Sequence, residues 1–306
     1  MDARENFLRA CRRERPNWVP YDFALCPKLA EEFTLRTGRT DYRAHYELPF
    51  AGLKLAPSKL TTDFAGFFGQ KLMATDQIDR WGVGHRRGSV AHFAEILHPM
   101  QSFTNVAEVE AYPFPDELAD YRWEGVPAQV AAAHTAGLAA VAAMQKTIFE
   151  ISWCLRGMEE FLMDLLTDPA MACAIMDQVL ELRKGCAARY AAAGADVLQL
   201  GDDVSTQLDM MVSPALWRKS IKPRLAEVIA AAKGVKPDIL IFYHGDGNLQ
   251  KIIPDLIEIG VEILNPVQPE CMDPAEIKRQ YGDRLTLWGT IGTQTTMPFG
   301  SPSDVR

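Results

Sequence analysis

Eight residues combine an acid–base, metal-binding or hydrogen-bonding side chain with a place at the end of an apolar run. They are Glu150, Asp202, Asp203, His244, Asp246, Gln268, Glu270 and Cys271. His244 follows ILIFY and precedes a Gly-Asp-Gly loop, and neutral imidazole suits metal ligation or proton transfer near pH 7. Asp246 beside it is equally a turn or cap residue before Asn248. Asp202 and Asp203 are adjacent, and neighbours in an extended strand point to opposite sides. One of them is therefore expected to face a site while the other braces a loop. Glu150 in IFEIS acts as acid or base, or pairs with Arg156. Gln268, Glu270 and Cys271 sit in a turn that Pro266 and Pro269 stiffen, which suits recognition. Trp153 and Trp288 either pack the core or offer a flat wall to a planar ligand. Asp79 belongs to a D-x-W-G turn, with Arg86 and Arg87 nearby to meet an anionic substrate.

The elements that must position these residues are βα units. Apolar runs at 18–25, 143–151, 196–202, 239–244, 261–267 and 285–290 read as strands, separated by helix-like stretches of about ten to twenty residues. Helix starts are marked by Asp168-Pro169, Ser213-Pro214 and Asp273-Pro274. Pro254 is expected to kink or split the helix that Asn248 opens. Residues 57–125 are irregular and read as hairpins and short helices, where barrels carry lids. The expected fold class is α/β, a TIM (β/α)8-type barrel with its ligand at the strand ends. Six strands are counted where a closed barrel needs eight. The expectation is a truncated copy, with part of the active site beyond residue 306. The chain reads as one domain over 1–306, with an insertion or lid at about 26–135.

The 306 residues are 48% hydrophobic and 24% charged, with a formal net charge of −8. No basic run exceeds a pair, which argues against nucleic acid as a partner. Six cysteines without CxxC spacing and a charged start, MDARENFLRACRRERP, point to the cytoplasm. The alanine-rich stretch around 131–144 is too short and weakly apolar to span a bilayer.

Several motifs carry a family resemblance over nearly the whole chain: RENFLRACRRERPNWVP (4–20), the D-x-W-G at 79–82, GDDVSTQ (201–207), SPALWRKSIKPR (213–224), YHGDGN (243–248), GVEILNPVQPEC (260–271) and LWGTIGTQTTMPFGSPSDV (287–305). Together they resemble the uroporphyrinogen decarboxylase superfamily. That resemblance implies a (β/α)8 barrel, and its members include cobalamin-dependent methyltransferases that activate a thiol with zinc.

True decarboxylases carry an arginine-rich segment, M-R-Q-A-G-R, after the first strand to hold the substrate carboxylates. This chain has YDFALCPKLAEEF there, without arginine. The methyltransferase branch holds zinc with His-x-Cys and a distant cysteine. Here the pair is His244-Gly245-Asp246, and a carboxylate makes a less thiophilic site.

The resemblance thus implies a methyltransferase-like enzyme acting on a small molecule, with a corrinoid or corrinoid protein as donor or acceptor. Zinc or another divalent metal would sit on His244, Asp246 and Cys271. Glu150, Asp202, Asp203 and His244 would be catalytic, and Trp153, Arg156, Gln268, Glu270, Trp288 and Asp79 would bind substrate. The alternatives are a metal-free decarboxylase (a lyase) of a carboxylated tetrapyrrole, and a non-catalytic tetrapyrrole- or corrinoid-binding protein. A homodimer is compatible with each.

Overall fold

In the computed structural model, which describes residues 1–69, 71–88 and 94–305, six parallel strands form one sheet. In the chain's strand numbering these are β1 (Phe50–Gly52), β5 (Ala139–Gln145), β6 (Val197–Gly201), β7 (Leu240–His244), β8 (Ile263–Asn265) and β9 (Thr286–Leu287). They lie in the order β1-β5-β6-β7-β8-β9, each pair parallel. The remaining strands, β2 (Gln77–Ile78), β3 (Gly84–Arg87) and β4 (Ala94–Leu97), form a separate antiparallel sheet. The parallel sheet is the wall of a (β/α)-type barrel whose edge strands β1 and β9 do not pair with each other among the described residues.

Side chains alternate across the wall because the strand period is two. Ala140, Ala142, Leu198, Leu200, Ile241, Tyr243 and Leu264 pack outward against helices. Ala139, Val141, Val197, Leu240, Phe242 and Ile263 face the opposite way. Against that inner face the helix Ala3–Cys11 lays Phe7, Leu8 and Cys11. Trp288 meets Phe7, Phe50 and Phe242 edge-on there, with ring centroids 5.1–5.5 Å apart. Each such pair adds about 0.5–1.5 kcal/mol beyond burial. Thr286 Oγ1 donates to the carbonyls of Ala10 and Cys11, and Arg4 pairs with buried Asp196, so the helix stoppers the lower end.

The outer layer follows the expected punctuation. Asp168, Ser213 and Asp273 accept from Met171, Leu216 and Ala275 N–H and open the helices Pro169–Ala192, Pro214–Ser220 and Pro274–Tyr281. After Asn248 comes a 3₁₀ turn, Gln250–Ile252, and Pro254 sits in the first turn of the helix Ile253–Glu258 rather than within it.

Two strand expectations are corrected. Residues 18–25 form no strand. Pro20 removes a ladder donor, and the first sheet strand is β1, inside the stretch expected to be an insertion. The strand expected at 143–151 is β5, and Phe149–Arg156 is a helix, so Glu150 stands in a first helical turn and not on a strand end. Gln70 and residues 89–93, His92 among them, lie outside the described residues. No helix among the described residues is long and apolar enough to cross a membrane.

Candidate active site

Strand register builds the site. Gln145 is level with Gly201, Gly201 with His244, and His244 with Asn265, so the C-terminal ends of four adjacent strands share one tier. The close approach of β6 and β7 requires glycine at 201, where a Cβ would lie 2.7 Å from the carbonyl oxygen of His244. Gly247 has φ +87, and a Cβ there would collide with the Thr206 carbonyl. The Gly-Asp-Gly turn is thereby folded back against the loop after β6.

His244 shares the phase of Leu240 and Phe242, on the inner face of the wall. Its Nδ1 lies 2.6 Å from Asn265 Oδ1, while Asn265 Nδ2 donates to the Trp288 carbonyl at 2.7 Å. That second bond fixes the amide with its oxygen toward the imidazole, making Nδ1–H the donor and leaving the Nε2 lone pair free. Nε2 faces Asp203 Oδ1 at 3.7 Å and Asp246 Oδ1 at 3.8 Å. Both distances are too long for hydrogen bonds. Asp203 is held in place by accepting from the Asp246 N–H at 2.8 Å. One donor atom from each of the three residues falls within 4.8 Å of the others.

This arrangement fits a divalent cation. Bonds of about 2.0–2.2 Å to imidazole and carboxylate imply donor atoms roughly 3–3.5 Å apart, a small contraction from the observed spacing. The donor set, one nitrogen and two carboxylate oxygens, suits a borderline or hard ion better than a thiophilic one. The local charge agrees. Burial, with Asp203 close by, raises the Glu150 carboxyl above its ordinary range, and burial and Asp203 also raise Asp246, whereas His244 lowers it. Three carboxylates crowd one mouth, and a bound cation relieves the crowding.

The two neighbouring aspartates divide as strand alternation implies. Asp202 is fully buried, and its carboxylate accepts from the N–H groups of Ile148 and Glu150 at 2.8–3.2 Å. It holds the start of the helix Phe149–Arg156 and so aims Glu150. Burial pushes its carboxyl up to about 7 against those donors.

The other expected residues lie as follows. Gln268 is buried and accepts from Gly247 N–H at 3.2 Å, bracing the turn. Glu270 accepts from Gln294 N–H and Thr295 Oγ1, both at 3.1 Å. Cys271 does not join the convergent group, and its thiol is pushed up by burial, Glu270 and Asp246. Trp288 packs the barrel interior, and the Trp153 Nε1 is buried without a hydrogen-bond partner among the described residues. Asp79 accepts from Trp81 and Val83 N–H and lies 3.2 Å from His85 Nε2, which folds its turn. Arg156 donates to the carbonyls of Met100, Gln101 and Phe103 and pairs with Asp164. Arg86 is taken by Asp76.

Two residues at the mouth were not singled out from sequence. Asn265 opens the NPVQPEC turn, and its only signal was its level with His244, which needs the register. Lys146 follows β5 directly, with Nζ 3.6 Å from Glu150 Oε1. The strand expected at 143–151 buries it mid-strand, whereas β5 ends at Gln145.

Comparisons with known proteins agree with this architecture. The family model for uroporphyrinogen decarboxylase (URO-D) matches residues 98–306. Among solved structures, a methyltransferase from Methanosarcina mazei superposes with a TM-score of 0.62 at 19% identity, over 98% of this chain and 84% of that one. At that identity the likeness is one of fold. No curated protein matches. The fold, the strand-end motifs and the match over more than half of its length place this chain in the uroporphyrinogen decarboxylase (URO-D) family.

Proposed function

We propose that this enzyme is a methyltransferase that moves a methyl group between a corrinoid and a small-molecule acceptor, using a divalent metal held by Asp203, His244 and Asp246. The convergence of the free Nε2 lone pair with two carboxylate oxygens carries the reading, because three such acceptors facing one another call for a cation. The bound ion would supply Lewis acidity, favouring the deprotonated form of an acceptor such as a thiol. Asn265 holds His244 in the ligating tautomer, and Asp202 holds the helix turn that presents Glu150. Glu150, whose carboxyl is raised by burial and by Asp203, takes the proton that the acceptor releases.

The family description itself favours a second reading, decarboxylation of a carboxylated tetrapyrrole. The charge of the mouth opposes it. A polycarboxylate would meet Glu150, Asp203 and Asp246, while Arg86, Arg156 and Arg183 are already bonded to Asp76, Asp164 and Glu117.

The two readings separate in a pair of assays. Zinc-loaded protein mixed with methylcobalamin and a small thiol is expected to consume the methylcobalamin absorbance and yield one thioether per methyl lost. Metal-free protein is expected not to. Inactivity in that assay together with metal-independent release of carbon dioxide from uroporphyrinogen would reverse the choice.

A further inference from the structure

We propose that Lys146 is the substrate-anchoring cation of this mouth, and that the small molecule bound there carries a carboxylate. The inference rests on the metal reading above, since Asp203 and Asp246 must be spent on a cation before an anion is welcome beside them.

Three observations carry it. The first is position: Lys146 directly follows Gln145, which is level with Gly201 and, through it, with His244. The second is backbone: Lys146 has φ +57, the left-handed region that disfavours a residue with a Cβ. Such conformations persist where the surroundings impose them and cluster at binding sites.

The third is unspent bonding capacity. The ammonium donates one hydrogen bond, to Cys154 Sγ at 3.6 Å, and lies 3.6 Å from Glu150 Oε1, with its side chain 40% exposed. A charge-assisted bond to oxygen is shorter, about 2.7–2.9 Å. Two other lysines reach that range: Lys222 is 2.8 Å from both Asp255 and Glu258, and Lys233 is 2.9 Å from Glu262. Lys146 therefore keeps donors for an incoming acceptor. A single ammonium matches a singly charged carboxylate, and the guanidinium of Arg156, which would suit a multiply charged anion, is consumed by three carbonyls and Asp164.

The test compares mercaptoacetate with its neutral isostere 2-mercaptoacetamide by calorimetric titration of zinc-loaded protein. Wild type is expected to prefer the carboxylate by about tenfold or more. Lys146→Met is expected to bring the two ligands near parity, and Lys146→Arg to keep a preference. An equal preference in wild type and Lys146→Met overturns the proposal, and it would also expose a carboxylate that merely chelates the ion. Metal content of each sample, read by elemental mass spectrometry, separates the two ideas. Full zinc without a carboxylate preference sinks the Lys146 role alone. Absent zinc sinks the metal reading and, with it, the charge balance on which the Lys146 role stands.

Discussion

Replacing His244 with alanine is expected to lower zinc affinity at least about a hundredfold, since even outer-shell partners of a metal ligand are worth about 10–100-fold. The imidazole supplies the one nitrogen of the donor set, and its loss leaves Asp203 and Asp246 facing each other with only oxygen donors. Competition with a chromophoric chelator reads the affinity. The metal-free variant is expected to unfold within about 1.5 kcal/mol of wild type, because the side chain makes one hydrogen bond, to Asn265. Unchanged zinc affinity would remove His244 from the site.

Arg156→Ala is expected to act in the opposite way, on stability and not on chemistry. The guanidinium donates to three carbonyls at 2.8–3.0 Å and pairs with Asp164 at 2.8 Å, with both side chains largely buried. Deleting it strands the carboxylate and the carbonyls, at a cost of about 3–5 kcal/mol. Arg156→Lys is expected to recover little, since an ammonium cannot reproduce the planar fork. Urea unfolding measures the loss. Near-native stability combined with weakened ligand binding would restore the substrate-binding role that the sequence pointed to.

Those two residues show what was legible in the sequence and what was not. The ends of β6, β7 and β8 could be read because branched and aromatic runs stop abruptly at polar residues, and that pattern placed His244, Asp203 and Asp246 at one mouth. Strand alternation implies that Asp202 and Asp203 divide their roles but not which one faces the mouth, and both lie just past the end of β6. β5 was misplaced because its sequence, AAVAAMQ, has the low β-propensity of alanine, while the following TIFEI looks more like a strand than the segment that forms one. Burial between β1 and β6 overrides that local preference, and the error carried Glu150 and Lys146 with it. β1 is three residues long and leaves almost no periodic signal. Arg156 reads from sequence as a partner of Glu150 or a substrate-binding residue, because the four partners it does bond lie as many as 56 residues away. The metal site's local signature is the His244-Gly245-Asp246 pair alone, and Asp203 joins it only through the pairing of β6 with β7.

The most direct test of the metal site is anomalous diffraction from crystals of the protein loaded with zinc, recorded on both sides of the zinc absorption edge. The predicted result is one peak bonded to Asp203 Oδ1, His244 Nε2 and Asp246 Oδ1, with His244 Nδ1 still bound to Asn265 and the Cys271 sulfur outside bonding distance. An empty mouth, or a peak held by the Cys271 sulfur without Asp203, would contradict it.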